Sequence, residues 1–339
     1  MKATKSILPS AEKKNSSLRK AFELIESDLG KVDQAFRNNL KSNVPIISVI
    51  GEHLLHSGGK RYRAKLLLLA AKLCGYRGDR HISMASLIEF IHAATLLHDD
   101  VVDRAELRRG TDSANSIWGN EASVLVGDFL FTKCFSLLVE NNNLKILKTV
   151  SKATATMAEG ELEELLRTND LSLSERNYLS IITRKTASLI SAATQIGGIL
   201  GNVSKKKERA LSQFGANVGI AFQLIDDNLD YTSKEEDFGK KIGIDLQDGK
   251  ITLPLIFTLI HCEEEEREWI KKTVESHPIT KKAFFGVVKI IEKYRGVDYT
   301  WNKAKRYVER AKQHLALFPE SGEKIALCAM ADYVLERRR

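Results

Sequence analysis

Apolar residues return with a period near 3.6 along almost the whole of this 339-residue chain, and that regularity decides its fold class. "LRKAFELIESDLGKVDQAF" carries an amphipathic stripe. "RAKLLLLAAKLCG" is apolar nearly all round and stops at Gly75. "ISMASLIEFIHAATLLHDDVVD" is long and mostly apolar, which marks a central helix. "EASVLVGDFLFTKCFSLLVE", "LKILKTVSKATATMAEGELEELL", "ERNYLSIITRKTASLISAATQIGGILG" and "ALSQFGANVGIAFQLIDDNLDYT" continue the pattern, and "TLPLIFTLIHC" follows. Turn signals at 75–78, 141–143 and 169–174 separate them. No alternating strand pattern and no internal repeat interrupts the series. Only five prolines occur, as long helices require, and 43% apolar residues suffice for a large core. The length alone would suggest about two domains. The unbroken helical pattern instead predicts one all-α domain over residues 16–339, a single-domain helical bundle, behind a mobile tail over residues 1–15.

Charge and cysteine content narrow the function. Lys and Arg outnumber Asp and Glu by 52 to 44. Such an excess suits a nucleic acid, a membrane surface or a small anionic substrate. The longest basic runs, Lys205–Lys207 and Arg337–Arg339, are short and not interleaved with aromatics, so no nucleic-acid partner is expected. Cys74, Cys134, Cys262 and Cys328 stand far apart with no CxxC pair, which argues for free thiols in a reducing compartment. The first residues hold no signal-peptide core, and no long uncharged apolar stretch predicts a transmembrane helix. The expected setting is soluble and cytoplasmic.

Against this apolar background the acids stand out. In "LLHDDVVDRAELRRG", Asp99 and Asp103 share one helix face a turn apart, with Asp100 beside them. Like charges so close repel, and each raises the pKa of the others unless something positive sits among them. Mg²⁺ is suited to the task, because it takes one or two carboxylates, waters and substrate phosphates. Alone, the cluster reads equally well as an exposed acidic helix end. "FQLIDDNLDYT" repeats it with Asp226, Asp227 and Asp230 at the same spacing, again after an apolar helix. Two such clusters facing each other could hold two or more Mg²⁺ ions on a diphosphate.

Basic residues complete the constellation. "GGKRYR" sets Lys60, Arg61 and Arg63 behind Gly58 and Gly59, without the spacing of a P-loop. Arg108 and Arg109, Arg184 to Thr186, Lys240, Lys241 and Lys250 add donors. Arg suits bidentate phosphate contacts and Lys acts as a point charge. Arg61 and Lys241 read best as solvated surface charges. The rest suffice for two diphosphates.

"GGKRYR", "HAATLLHDDVVDRAELRRG", "KTA", "FQLIDDNLDY" and "GKKIGIDLQDGKITLPL" stand in the order found in the trans-isoprenyl diphosphate synthases, the polyprenyl synthetases, and the chain resembles that family from about residue 45 onward. It looks most like the long-chain, octaprenyl-type bacterial members. The resemblance implies a helical bundle around a deep central apolar tunnel, normally a homodimer, with two or three Mg²⁺ ions per site. It implies that an allylic diphosphate, farnesyl diphosphate for choice, ionises on the metals. Isopentenyl diphosphate then attacks the cation, building a polyprenyl chain for quinone side chains. A transient membrane contact would release such a product.

Residue by residue, Lys60, Arg63, His92 and Arg109 match the family's isopentenyl diphosphate contacts, and Arg108 matches the allylic contact. Lys185, Thr186, Gln223 and Lys240 match the second wall of that site. Asp99, Asp103 and Asp226 match the direct metal ligands, with Asp100, Asp227 and Asp230 close by. Asp99, Asp103, Asp226 and Lys185 would carry the catalysis, and His98 would support the first motif without being a ligand. Thr95 and Ala94 lie about one turn deeper than Asp99. Their small size, with Ile91 below, would leave room for a long product. A shorter-chain synthase stays open. A terpene cyclase usually keeps one aspartate motif, and a non-catalytic subunit usually loses one or both; the intact pair here counts against each.

Overall fold

The computed structural model describes residues 22–56, 61–108, 110–232, 243–276 and 278–337. The expected tail lies outside them, as do Lys60, Arg109, Lys240 and Lys241. The chain runs through α1 (Glu26–Leu40), α2 (Pro45–His56), α3 (Tyr62–Leu73), α4 (Arg80–Val102), a hairpin β1–β2 (Leu107–Arg108 and Thr111–Asp112), α5 (Ala114–Trp118), α6 (Asn120–Asn141), α7 (Leu144–Leu166) and α8 (Glu175–Ile182). A π-helical turn (Thr183–Ala187) leads into α9 (Ser188–Leu200) and α10 (Lys205–Thr232). Then come α11 (Ile244–Gln247), α12 (Leu253–His261), α13 (Glu264–Glu275), α14 (Lys281–Lys293), α15 (Gly296–His314) and α16 (Gly322–Glu336). The architecture is all-α, as expected.

The two helices without a polar face occupy the centre. Leu66 to Ala71 of α3 are fully buried, as are Met84, Leu87, Ile88, Phe90, Ile91 and Leu97 of α4. A helix apolar all round has to be surrounded. α4 is packed by α1, α3, α6 and α9, while α10 lies between α9 and α15. Local signals close the helices where the sequence suggested. Gly75, at φ 72°, ends α3, and Asn142, left-handed at φ 51°, ends α6. The Asn143 side chain accepts from the amides of Lys145 and Ile146 to start α7.

Because the helices alternate in direction, their connections gather at two ends. At one end Asp28 of α1 is buried, accepts from Lys72 Nζ at 2.8 Å and faces His81 Nε2 at 3.3 Å. Burial pushes the Asp28 carboxyl up, but donation from Lys72 and His81 outweighs it and holds it below the usual range. At that same end Gly201 lies against Cys74, Lys145 Nζ is 3.9 Å from Glu208, and Lys207 stands over the Phe318 ring. Both aspartate clusters fall at the opposite end.

One local expectation is corrected. Arg61 is not a solvated charge. Its Nε donates to Asp33 Oδ1 at 3.0 Å, its Nη1 lies 3.7 Å from the buried Glu89, and the guanidinium stands over Phe36. α4 ends at Val102, and Arg104 turns left-handed at φ 50°, so Arg108 stands outside the aspartate helix. The chain then enters the two-residue hairpin, with Leu107 opposite Asp112 and Arg108 opposite Thr111, too short to leave an alternating pattern. Among the described residues one helix, Asn120–Asn141, is long and apolar enough to cross a membrane by length and composition alone, a test that core helices also pass. It packs on α4 with one face and leaves Val124, Leu125, Phe135 and Val139 exposed.

Candidate active site

Side-chain partners divide the first cluster. Asp100 is 1% exposed and locked to Arg108, whose Nε donates to both carboxylate oxygens at 2.7 Å and whose Nη2 lies 2.5 Å from Oδ1. That pair joins the end of α4 to the hairpin. Asp99, about 100° round the helix from Asp100, faces a cavity instead. Burial and the nearby Glu161 push its carboxyl up to about 7 against the pull of Lys185. Asp103 accepts from Lys250 Nζ at 3.1 Å. His98 borders the same cavity and reaches towards α6, with Nε2 3.2 Å from the Val124 carbonyl oxygen and 3.4 Å from Asp128.

The second cluster divides in the same way. Asp227 is 3% exposed, takes a short hydrogen bond from the Tyr178 hydroxyl, and accepts from Gln223 Nε2 at 2.7 Å. Burial pushes it up to about 7. Gln223 Oε1 in turn accepts from the Thr186 hydroxyl at 2.7 Å. Asp230, raised by burial to about 6, accepts from backbone amides at the start of α11. Its Oδ2 is buried without a hydrogen-bond partner. Asp226 pairs with Arg337 Nη1 at 2.7 Å, and that guanidinium stacks on Phe222 at 4.1 Å.

Lys185 stands between the clusters. Its Nζ donates to Glu161 Oε1 at 2.9 Å and Glu164 Oε2 at 2.5 Å. Burial lowers its pKa, but the two glutamates outweigh that and raise it. The π-helical turn that carries Lys185 and Thr186 is wedged between two glycines. A Cβ on Gly160 of α7 would lie 2.6 Å from the Lys185 amide nitrogen, and one on Gly219 of α10 would lie 2.5 Å from Ala187 Cα. Only glycine admits backbone that close. Such π-turns recur at functional sites.

Two cavities meet at Lys185. One, of about 90 Å³, is bordered by Glu164, Tyr178, Gln223, Asp227, Asp245 and Lys250 on one side and by Leu173, Ile181, Ile182 and Ile251 on the other. The other, of about 280 Å³, runs down from Asp99 and Glu161 between Thr95, Phe131, Thr154 and Met157. From Glu161 to Thr154 is two turns, so it descends about 10 Å along α7. Of the three chain-length residues Thr95 borders it, whereas Ala94 and Ile91 are fully buried in the core. Arg63 and His92 are half-buried on α3 and α4. Lys60, Arg109 and Lys240 cannot be placed, being outside the described residues.

Hard oxygen donors are what this end offers. The acids repel one another, and Asp230 Oδ2 lacks a partner, so a divalent cation fits. Among the described residues no three acid, histidine or cysteine side chains converge into a ready-made ion cage. Magnesium held jointly by carboxylates, waters and a bound diphosphate needs none. The sequence reading missed Glu161, Tyr178, Asp245 and the reach of Arg337. For Glu161 a signal existed, since it stands three residues before Glu164 on one helix face.

The comparisons agree with this arrangement. The Polyprenyl synthetase family profile matches residues 44–291. Octaprenyl diphosphate synthase from Haemophilus influenzae is 39% identical over 321 residues, 95% of this chain and 97% of that protein. The enzyme of the same name from Escherichia coli is 39% identical over 323 residues, 95% of this chain and all of that one. Among solved structures, a polyprenyl synthase from Caulobacter crescentus complexed with calcium and isoprenyl diphosphate superimposes with a TM-score of 0.91 at 40% identity. That match covers 95% of this chain and 98% of the other. Two aspartate clusters on facing helix ends, a lysine between them and an apolar cavity beneath thus belong to a member of the polyprenyl synthetase family, a prenyltransferase of the trans-isoprenyl diphosphate synthase type.

Proposed function

We propose that the enzyme extends an allylic diphosphate, with farnesyl diphosphate as primer, by isopentenyl units to a long all-trans product of octaprenyl type for quinone side chains, and that it works with magnesium. The observation that carries this reading is the apolar cavity opening directly beneath Asp99 and Glu161, with small Thr95, Thr154 and Ala158 in its wall. The 39% identity to octaprenyl diphosphate synthases supports the product class.

Asp99, Asp103 and Asp226 would hold the metal, with Asp230 Oδ2 beside them; Asp103 and Asp226 would give up Lys250 and Arg337 to do so, whereas the more deeply buried Asp100 and Asp227 stay with Arg108, Tyr178 and Gln223. When bound, magnesium neutralises charge developing on the leaving diphosphate. Lys185 then exchanges its two glutamates for diphosphate oxygens. Arg108, steadied by Asp100, presents its remaining N–H groups to the same anion. The Thr186–Gln223–Asp227 chain fixes the opposite wall. Phe131 and Met157, half-buried in the cavity wall, keep water from the allylic cation, so that it meets isopentenyl diphosphate rather than water. No serine or cysteine nucleophile is required. The exposed Leu125, Phe135 and Val139 on α6 suit a homodimer interface. Leu125→Glu with Phe135→Glu should sediment as a monomer; an unchanged dimer would move the interface elsewhere.

The purified chain, given farnesyl and isopentenyl diphosphates with Mg²⁺, should yield an octaprenyl-length product. Products that stop at geranylgeranyl length would remove the long-chain reading. Excess EDTA should abolish turnover, and Asp99→Ala should lower kcat by orders of magnitude; persistence of turnover in EDTA would sink the metal role. Thr95→Phe should plug the cavity and shorten the product while the first condensation stays fast, and an unaltered product length would place the path elsewhere. Gly160→Ala forces the π-turn outward. It should cost about 1–3 kcal/mol of stability and raise KM for the allylic substrate several-fold. Wild-type kinetics in that variant would mean the turn is not what aims Lys185.

A further inference from the structure

One corner of the bundle end away from the aspartate clusters carries a concentrated positive charge that prenyl transfer does not use. Residues 144–152, at the start of α7, hold Lys145, Lys148 and Lys152 and no acid. Residues 201–213, leading into α10, hold Lys205–Lys207, Arg209 and a single acid, Glu208. The two segments are neighbours, for Lys145 Nζ lies 3.9 Å from Glu208 Oε2. Glu208 is further occupied by Gln195 Nε2 at 3.1 Å. Every one of these cations except the half-buried Lys207 is exposed. Leu144, 72% exposed, stands among them, with Leu147 beside it.

The cations do nothing for the helices that bear them. A positive charge in the first turn opposes the helix dipole, so Lys145 and Lys205–Lys207 sit where they weaken α7 and α10 slightly. Few ion pairs offset them. A surface kept basic against local stability is matched to an anion outside the chain. The apolar cavity descends along α7 from Glu161 towards this same end. A growing tail therefore points at the basic corner while its diphosphate stays at the other end.

We infer that this corner, Lys145, Lys148 and Lys152 with Lys205, Lys206 and Arg209, is a docking surface for an anionic lipid bilayer, with Leu144 entering the headgroup boundary. Its purpose rests on the long-chain reading given above: a polyprenyl tail partitions into lipid, and a bilayer at the tail end receives it without passage through water. The charge spreads over a blunt bundle end studded with leucine and no aromatic stacking residue. That suits headgroups better than nucleic-acid bases.

Flotation of the intact protein, without substrates, tests the surface alone. The vesicles would be phosphatidylcholine, or equal parts phosphatidylcholine and phosphatidylglycerol. Binding should require the anionic lipid and fade with added salt. Lys148→Gln, Lys152→Gln, Lys205→Gln and Lys206→Gln combined should lose about fivefold per lysine. The first condensation in solution should be unchanged, which also shows that the variant folds. A control neutralising Lys271, Lys272, Lys282 and Lys289, exposed on α13 and α14, has the same net charge and should bind as wild type. Equal binding to both vesicles, equal loss in variant and control, or tighter binding to duplex DNA or RNA at the same ionic strength would each overturn the proposal. Product sizing is a separate measurement. A short product with intact lipid binding would remove the long-chain reading and leave the surface.

Discussion

Mutual repulsion among carboxylates at the ends of apolar helices is the constraint on which the rest of this structure depends. Asp99, Asp103, Glu161, Glu164, Asp227, Asp230 and Asp245 crowd one end of the bundle, and burial raises several of them above the ordinary carboxylate range. Among the described residues Lys185 and Lys250 stand between these acids, with Arg108 close by, and both lysines have pKa values raised by the acids despite burial. The arrangement is held together by the packing of α3, α4 and α10, not by its own electrostatics. A site so loaded with negative charge gains free energy from a divalent cation and, once that is bound, from an anion upon it. The repulsion that costs the free protein stability is therefore what favours binding.

Those acids do not share one role, and the reason is angular. Adjacent helix positions point about 100° apart. Asp99 and Asp100 consequently meet different surroundings, one a cavity and the other Arg108. Asp226 and Asp227 repeat the division, towards Arg337 and towards Tyr178 with Gln223. In each pair the more buried member stiffens the frame. Its neighbour keeps oxygens for what enters from solvent. A doubled aspartate is thus a structural residue and a binding residue side by side.

Much of this was legible in the residues. Helical periodicity identified α3, α4 and α10, and equal spacing in "DDVVD" and "DDNLD" marked the two helix ends that carry the acids. Partner choice was not legible, because it depends on which neighbour a side chain meets. Arg61 has the sequence context of a surface charge and becomes a tie only because Asp33 and Glu89 arrive from α1 and α4. Arg108 reaches Asp100 only because Arg104 adopts a left-handed conformation and turns the chain back. The π-turn leaves no trace in "IITRKTASL", whose periodicity continues through it. The room it occupies is left by Gly160 and Gly219, which come from elsewhere along the chain. Ala94 was a reasonable candidate for the cavity wall by spacing, yet the rotation of α4 brings Thr95 there and leaves Ala94 in the core.

Alternating helix direction gives the bundle two ends of opposite character, and the reaction needs that polarity. Residues at the ends of α4, α7 and α10 gather the acids, the lysines and Arg108. The connections at the other end gather Lys145, Lys148 and Lys205–Lys207, with Asp28 tying α1 to Lys72 and His81 inside. Between them the packing is largely apolar, and the polar side chains in the wall of the cavity below Asp99 and Glu161 are the small hydroxyls of Thr95 and Thr154, with His98 at its rim. A charged head is confined to the acidic end by its need for cations, and a growing tail is confined to the interior by the hydrophobic effect. The direction of chain growth follows from those two confinements. Product length is then limited by how far the side chains along α4, α6 and α7 give way before the tail reaches the basic end.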